Sequence, residues 1–417
     1  MKSLPSRSVL RLLSFSAAVT TFPVPALSQT WTRVRTETAN DLVAVNFTDA
    51  QQGYIAGAFS TLLKTSDGGE TWTPVATPVS ASFVSVAARS AGEVFIGRVG
   101  LYRTSDSGGH WDTDVGGFEA SSGSIFDILF VSATNGFLTK SGGIFATANG
   151  GTQWNQVADT GLFLDDLHHA GGQTLFATGG ITYSEIFGFV SRGDMARSRD
   201  GGQTWEVLPL QQPPINEIHA AVWENEQTGI VFTFTNKAHR TADGGDTWQV
   251  LSADMQDTEG NPLPAIIMDA VIDAAGHIVA VDFSGNFLES ADGVQWQVTP
   301  GSGEPFSALT KLPDGSLIAV GNSGNIWKRT PPGPSSLPLA IEGVRYDPDK
   351  HSVTLDVTGT RGRDYVVEVS RDLAAWEGIQ SVTADGARFS IKVDAPTGAT
   401  TAYFRVAESK RPPGISP

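Results

Sequence analysis

Four carboxylates are the best candidates for chemistry in this 417-residue chain. They emerge when the first apolar strand of each of seven repeated segments is aligned. The position in register is occupied by Ala44, Ser85, Asp127, Asp166, Glu217, Asp269 and Ala308, with Ala220 as an alternative to Glu217. Paired carboxylates can act as general acid and as base or nucleophile in glycoside hydrolysis. The alternative is that they line a hydrated channel, since solvated charges need no partner.

A second cluster, His168 and His169 beside Asp165 and Asp166, contains metal-ligating side chains. Adjacent strand residues point to opposite faces, so both imidazoles cannot bind one ion without a bend in the chain. We therefore expect no metal there. The sequence has no nucleophile elbow, phosphate loop or EF-hand pattern, and no cofactor is expected. Because the chain has no cysteine, disulfides and thiolate chemistry are excluded.

A repeated turn indicates the elements that position these side chains. Its first copy is TSDGGETW at residues 65–72, and further copies lie at 104–111, 147–154, 198–205, 241–248 and 290–296. In such a turn an Asp carboxylate bonds backbone N–H groups, Gly takes a positive φ, and Trp begins the next strand. We interpret the third residue of each turn as structural: Asp67, Asp106, Asn149, Asp200, Asp243 and Asp292.

The spacing of the repeats predicts an all-β fold. Trp31 and the tryptophans that end the six repeat turns are 39 to 51 residues apart, near the length of a four-stranded propeller blade. Residues 307–330 supply three strands without a following turn, and residues 29–34 supply an outer strand without a preceding blade. Joined, they complete a blade and remove two open sheet edges. The sequence therefore predicts a seven-bladed β-propeller over residues 29–330.

The turns resemble the Asp-box (BNR-type) repeats of β-propellers, and their order among the strands is most similar to the photosystem II assembly factor family. Sialidases, sortilin-type receptors and xyloglucanases carry the same boxes, so the resemblance implies a fold more than an activity. A sialidase would need a Phe-Arg-Ile-Pro element, which this sequence does not contain.

In the assembly factors, the resemblance implies a basic patch built from the positions just before the boxes. Here these positions are Lys64, Arg103, Ala146, Arg197, Arg240 and Glu289, so the pattern is partly kept. The alternative is that these cations pair with neighbouring acidic side chains.

Residues 1–28 have the features of a secretory signal peptide: basic Lys2, Arg7 and Arg11, an apolar stretch, and small residues before a cleavage position near Ser28. We therefore expect a secreted or periplasmic protein. Cleavage would remove three positive charges and change the net charge from −16 to −19. With a pI near 4.8, the chain should be repelled by nucleic acid and anionic membranes. We expect no transmembrane segment.

The predicted domains end with a Pro-rich linker at 331–338 and six candidate strands at 339–410. The segment YVVEVSRDLAAW resembles C-terminal β-sandwich modules of secreted bacterial proteins, so we expect a small β-sandwich.

Long connections are predicted in the middle of the repeats, at 181–193, 208–216 and 251–264, and long loops are often functional. The first carries Tyr183, Phe187 and Phe189. We expect a ligand to dock over blades three to six, held by these aromatics and by Asp127, Asp166, Glu217 and Asp269.

Three functions follow, in order of preference. The first is a non-enzymatic binding or scaffold protein, a monomer with a protein or glycan partner. The second is a sialidase- or xyloglucanase-like glycoside hydrolase that uses the channel carboxylates. The third is a photosystem II assembly or stability factor.

Overall fold

Alternation of apolar and polar residues with a period of two produces strands where the sequence predicts them. The structure is a computed structural model that describes residues 30–118, 123–185, 188–210, 214–252, 255–257, 260–263, 266–330, 336–347, 351–360, 364–370, 377–383, 388–394 and 403–408. The predicted signal peptide and linker residues 331–335 lie outside the described residues. Residues 30–330 form one unit, and the described residues from 336 onward belong to a second. No helix in these ranges has the length and hydrophobicity needed to cross a membrane.

The described residues of the first unit form seven sheets, numbered here by the chain order of their innermost strands. Sheet 1 contains Leu42–Phe47, Gly53–Gly57, Leu62–Thr65 and Thr73–Pro74. Sheet 2 contains Ser85–Ala88, Val94–Arg98 and Gly100–Thr104. Sheet 3 contains Ile125–Phe130, Gly136–Lys140, Gly143–Thr147 and Asn155–Asp159. Sheet 4 contains Leu164–Gly171, Thr174–Glu185, Gly188–Ser198 and Glu206–Val207.

The remaining sheets of this unit follow the same order. Sheet 5 contains Ile218–Trp223, Gly229–Thr233, Ala238–Thr241 and Gln249–Ser252. Sheet 6 contains Ile267–Ile272, Ile278–Asp282, Asn286–Ser290, Gln295–Pro300 and the short Gln256–Asp257. Sheet 7 contains Phe306–Lys311, Leu317–Gly321, Asn325–Arg329 and Trp31–Val34, with a 3-10 turn at Asn322–Gly324.

Two sheets differ from the predicted four-stranded pattern. Sheet 2 has three strands, because the chain after its repeat turn makes a single bridge between Arg103 and Asp112 before Val115 and Phe118 enter the core. Sheet 6 has five strands, because Gln256–Asp257 pairs in parallel with its outermost strand.

The sheets form a closed ring, so the first unit is a β-propeller. Their innermost strands contact one another in chain order, and the innermost strand of sheet 7 contacts that of sheet 1. The first described strand, Trp31–Val34, pairs antiparallel with Asn325–Arg329. The predicted pairing of residues 29–34 with the last repeat is therefore confirmed, and it covers a strand edge that would otherwise be open.

The third residue of each repeat turn organises that turn. In the first, Asp67 Oδ1 accepts the Thr71 N–H at 2.9 Å and the Thr65 hydroxyl at 2.8 Å, and Oδ2 accepts the Thr71 hydroxyl at 2.6 Å. The equivalent oxygens in the other turns belong to Asp106, Asn149, Asp200, Asp243 and Asp292. The polar atoms of the motif are thus used inside the turn.

A glycine in each repeat turn lets the turn lie against the preceding sheet. In the first turn this is Gly69, whose φ of 85° suits glycine. A Cβ added there would lie 2.8 Å from Ile318 of sheet 7. In the fourth turn, a Cβ on Gly202 would lie 2.1 Å from Phe137 of sheet 3. Each turn is therefore part of the interface between two sheets.

The second unit contains two three-stranded antiparallel sheets. One comprises Ser336–Asp347, Ser352–Thr360 and Arg388–Asp394, and the other comprises Asp364–Ser370, Glu377–Thr383 and Tyr403–Glu408. Leu355 and Ile391 of the first sheet share a core with Val367 and Phe404 of the second. This arrangement is a β-sandwich. Its first strand begins inside the predicted linker, and independent folding of this unit stays a prediction.

We expect Asp67→Ala to lower the free energy of unfolding by about 1–3 kcal/mol, because the Thr71 N–H and the hydroxyls of Thr65 and Thr71 lose their acceptor. Urea denaturation followed by tryptophan fluorescence measures this change. Asp67→Asn is the matched control, since Asn149 Oδ1 accepts the Gln153 N–H at 2.9 Å in the third turn. Equal losses in the two variants would contradict the role assigned to Oδ1.

Candidate functional site

The aligned carboxylates lie on the innermost strands, but not all in the predicted register. A β-bulge precedes the aligned position in sheet 5, where the register shifts between Ile218 and Ala220. Ala220 therefore occupies the position, and the prediction of Glu217 is wrong. His219 is the bulged residue, as Val43 is in sheet 1, and Glu217 lies before the strand with its carboxylate 3.9 Å from His219 Nε2.

The same bulge brings in a carboxylate that the alignment missed. In sheet 4 the register shifts between Leu164 and Asp166, so Asp165 is the bulged residue. Its carboxyl group interacts electrostatically with those of Asp166, Glu217 and Asp127. The Asp165-Asp166 pair within an inner strand was the sequence signal for this neighbour. The predicted carboxylates and Asp165 are thus close enough for their charges to interact.

Two of the predicted catalytic residues are committed to the backbone. Asp127 Oδ1 accepts the Ile128 N–H at 2.8 Å, and its Oδ2 accepts the Leu167 N–H of sheet 4 at 3.0 Å. Asp269 repeats this arrangement with Ala270 and with Leu309 of sheet 7, both at 2.7 Å. Each carboxylate therefore joins two neighbouring innermost strands, which is a structural role.

The crowding of these carboxyl groups raises their pKa values. Desolvation within the ring, followed by the negative charge of Asp166, raises the pKa of Asp127 to about 7. The same causes raise the pKa of Asp165 and of Asp269 to about 8. Water still reaches the cluster, because 42% of the Asp166 side-chain surface is exposed. Asp127, Asp165 and Asp269 are therefore partly protonated near neutral pH.

His168 and His169 engage separate partners, as expected for adjacent strand residues. His168 Nε2 lies 2.9 Å from Thr178 Oγ1 and 3.2 Å from Asp166 Oδ2. His169 is exposed, with Nε2 at 3.3 Å from the Gly172 carbonyl oxygen. The two rings do not converge on one point.

The positions before the repeat turns are occupied by side chains that bind their neighbours. The contacts are Arg103 to Glu93 at 2.6 Å, Arg240 to Glu224 at 3.0 Å, Arg197 to Glu206 at 2.6 Å and to Asp246 at 2.7 Å, and Lys64 to Ser107 at 2.9 Å. The arginines therefore form ion pairs, as in the alternative interpretation. Arg197 is buried and also donates to the Gly244 carbonyl, so it ties sheet 4 to the turn of sheet 5.

Sequence reasoning missed one cluster with metal-ligating atoms. Ligand atoms of Asp273, His277 and Glu289 lie within 4.8 Å of one another. Arg329 of sheet 7 donates to Asp273 at 2.9 Å and to Glu289 at 3.1 Å. A metal ion would have to displace this buried guanidinium, so the cluster is better explained as an ion-pair network between sheets 6 and 7. The sequence signal for this network was Arg329, a cation at the end of the last predicted strand of the repeats.

The first long connection is a hairpin rather than a loop. Residues 181–193 extend the second and third strands of sheet 4, which stay paired out to Glu185 and Gly188. Because the repeat turns connect third to fourth strands, this hairpin lies on the opposite face of the ring. Phe187 lies outside the described residues, and only the backbone positions of Tyr183 and Phe189 are described.

The other two long connections contribute to the core. Leu208, Leu210 and Ile215 pack between sheets 4 and 5, and Met255 and Leu263 pack between sheets 5 and 6. Their described apolar residues therefore close the interior rather than offer a binding surface.

Both the sequence and the fold have counterparts among known proteins. The family model described as "Photosynthesis system II assembly factor YCF48" matches residues 24–172 and 119–337. The chain belongs to this family. The chloroplastic photosystem II stability/assembly factor HCF136 of Arabidopsis thaliana is 31% identical over 117 residues, which is 25% of this chain and 28% of that protein. The match thus spans less than a third of that relative.

Solved structures agree with the YCF48 family fold. YCF48 bound to D1 peptide matches with a TM-score of 0.54 and 20% identity, covering 74% of this chain and all of that one. YCF48 from Cyanidioschyzon merolae gives 0.55 and 17%, covering 72% and 99%. The GH74 enzyme of Niastella koreensis gives 0.51 and 14%, covering 86% and 66%. At these identities the likeness concerns the fold alone.

We expect the stability of this YCF48-family propeller to fall as pH rises from about 5 to 8. Carboxyl groups with a raised folded-state pKa favour the folded state while protonated, and this contribution is lost as pH passes through about 7 to 8. Calorimetric Tm values across this range measure the slope. Asp165→Asn should flatten it, whereas Asp159→Asn, at an exposed position on the outermost strand of sheet 3, should not. A Tm that rises over this range would contradict the assignment.

Proposed function

We propose that this protein is a non-enzymatic assembly factor of the YCF48 type that binds a polypeptide partner. The observation that carries the proposal is the family match across residues 24–337. A solved relative is bound to D1 peptide, which makes the D1 peptide the first partner to test. The function ranked last from the sequence is thereby favoured as a specific form of the binding protein ranked first.

The carboxylate geometry favours binding over hydrolysis. Raised pKa values in a channel would suit a general acid, but a glycosidase also needs a second carboxylate free to act on the substrate. Asp127 and Asp269 use both oxygens for backbone N–H groups. Asp127 also shares a hydrogen bond with Asp166. This leaves no pair of unengaged carboxylates facing each other across an open site among the predicted residues.

We further propose that the protein acts outside the cytoplasm after cleavage near Ser28, on the basis of the basic and apolar N-terminal sequence. Mass spectrometry of the protein isolated from its natural source would give the mature N-terminus. An N-terminus at Met1 would contradict this proposal.

The purified protein beginning at residue 29 is expected to bind a dye-labelled D1 peptide, measured by fluorescence anisotropy. A scrambled D1 peptide of the same composition is the control, since it keeps charge and hydrophobicity but not order. We expect no release of sugar from sialylated or xyloglucan substrates. Hydrolysis that disappears in Asp166→Asn would overturn the non-enzymatic assignment, and equal binding of both peptides would overturn specific recognition.

The docking of a partner over the hairpin at 181–193 stays a prediction. A variant in which residues 182–191 are replaced by Asn-Gly keeps the sheet 4 strands and closes them with a tight turn. If the hairpin contacts the partner, this variant should keep its Tm and bind D1 peptide more weakly than the parent protein. Unchanged anisotropy titrations would remove the hairpin from the binding surface.

A further inference from the structure

A groove lies where sheets 7, 1 and 2 meet, far in the sequence from the predicted docking region. Its volume is about 440 Å³, and its lining includes Asp41, Phe83, Arg98, Val99 and Asn322. Val99 and Asn322 belong to turns between second and third strands. These turns lie on the face opposite the repeat turns, so the groove opens on the same face as the hairpin of sheet 4.

An exposed aromatic ring stands at the rim of this groove. Phe59 has a φ of 51° and is 79% exposed, in a turn closed by the Thr61 N–H donating to the Ala58 carbonyl. The left-handed region favours glycine or asparagine, and a phenylalanine there is strained. Its N–H donates to Ser82 Oγ at 3.3 Å, and Ser82 lines the groove. This side chain therefore buries little apolar surface on folding, and strained backbone positions cluster at functional sites.

Arg98 and one oxygen of Asp41 are the polar groups that the groove offers to a ligand. Within the part of the chain that the structure describes, no carboxylate lies within ion-pair distance of exposed Arg98, whereas most of the other arginines of the propeller are paired. Asp41 Oδ1 accepts the Ser323 N–H at 3.0 Å, and no described residue donates to its other oxygen. One cation and one acceptor thus face an apolar surface that includes Val99, which is 44% exposed.

We propose that this groove binds an extended peptide with an acidic side chain on Arg98 and a neighbouring apolar side chain on Phe59 and Val99. A backbone N–H of the peptide donates to Asp41. The proposal rests on the proposed function, in which the partner is a polypeptide. Because the protein carries a net charge of −16, an acidic peptide is attracted only by close contact with Arg98, so the apolar contacts must supply part of the affinity.

The first test is an array of random 10-residue peptides probed with the full chain from residue 29. We expect selection of peptides with Asp or Glu next to a large apolar residue. Arg98→Glu should bind these peptides roughly tenfold more weakly and should instead select Lys or Arg at the acidic position. Lys237→Glu is the matched control, because Lys237 is an exposed cation of sheet 5 on the same face of the ring as Arg98. This variant should keep the original peptide preference.

The second test separates binding from folding. Phe59→Asn relieves the positive φ, so its Tm should rise, while its affinity for the selected peptides should fall several-fold. A purely structural role for Phe59 predicts no loss of affinity in a variant that is more stable.

The outcomes distinguish the groove from the proposed function. If the parent protein selects peptides and Arg98→Glu selects the same ones, the groove is not the binding site, but the protein still binds peptides. If the parent protein selects none and does not bind D1 peptide, the proposed function fails. If Phe59→Asn gains stability at unchanged affinity, the proposed contact between Phe59 and the peptide is wrong.

Discussion

The propeller depends on a glycine that leaves no room for a side chain. In each of the six repeat turns, a Cβ at the glycine equivalent to Gly69 would lie 2.1 to 3.0 Å from a side chain of the preceding sheet. The backbone of the turn therefore lies directly against side chains of the neighbouring sheet. Dense packing of this kind tolerates little added volume. The Asp of the same turn fixes the backbone that carries the glycine, so one short motif sets both the hairpin and the angle between sheets.

This local coding explains why so much of the fold could be predicted from the sequence. The turns and the alternating strands are each readable within a few residues, and the Trp31 strand is recognised because no blade precedes it. The register of sheet 5 could not be read in this way, because Ile215 and Ile218 are both buried apolar residues and either could begin the inner strand. The pairing of Ile218 with Thr233 places Ala220 rather than Glu217 at the aligned position. The backbone partners of Asp127 and Asp269 also escaped prediction, since they lie 40 residues away on the next innermost strand.

Charge in this acidic protein is arranged to join sheets rather than to display a catalytic centre. Arg197 and Arg329 are buried cations that connect sheets 4 and 5 and sheets 6 and 7. Asp127 and Asp269 accept N–H groups between sheets 3 and 4 and between sheets 6 and 7. The pair of Arg329 with Asp273 is buried on both sides, so its attraction is offset by the cost of desolvation. Most of the acidic and basic side chains that could take part in catalysis thus already have partners within the protein. The exposed groups around Arg98 belong to turns, which the packing of the sheets leaves free to vary.

The pairing of Trp31–Val34 with Asn325–Arg329 joins residues about 300 positions apart. The ring cannot close until nearly the whole propeller sequence is available, so its final step has a very high contact order and is expected to be slow. Early sheets can form during synthesis, while the closed ring waits for the last strands of the propeller. Closure between the two ends of the propeller sequence is therefore the step that completes this unit.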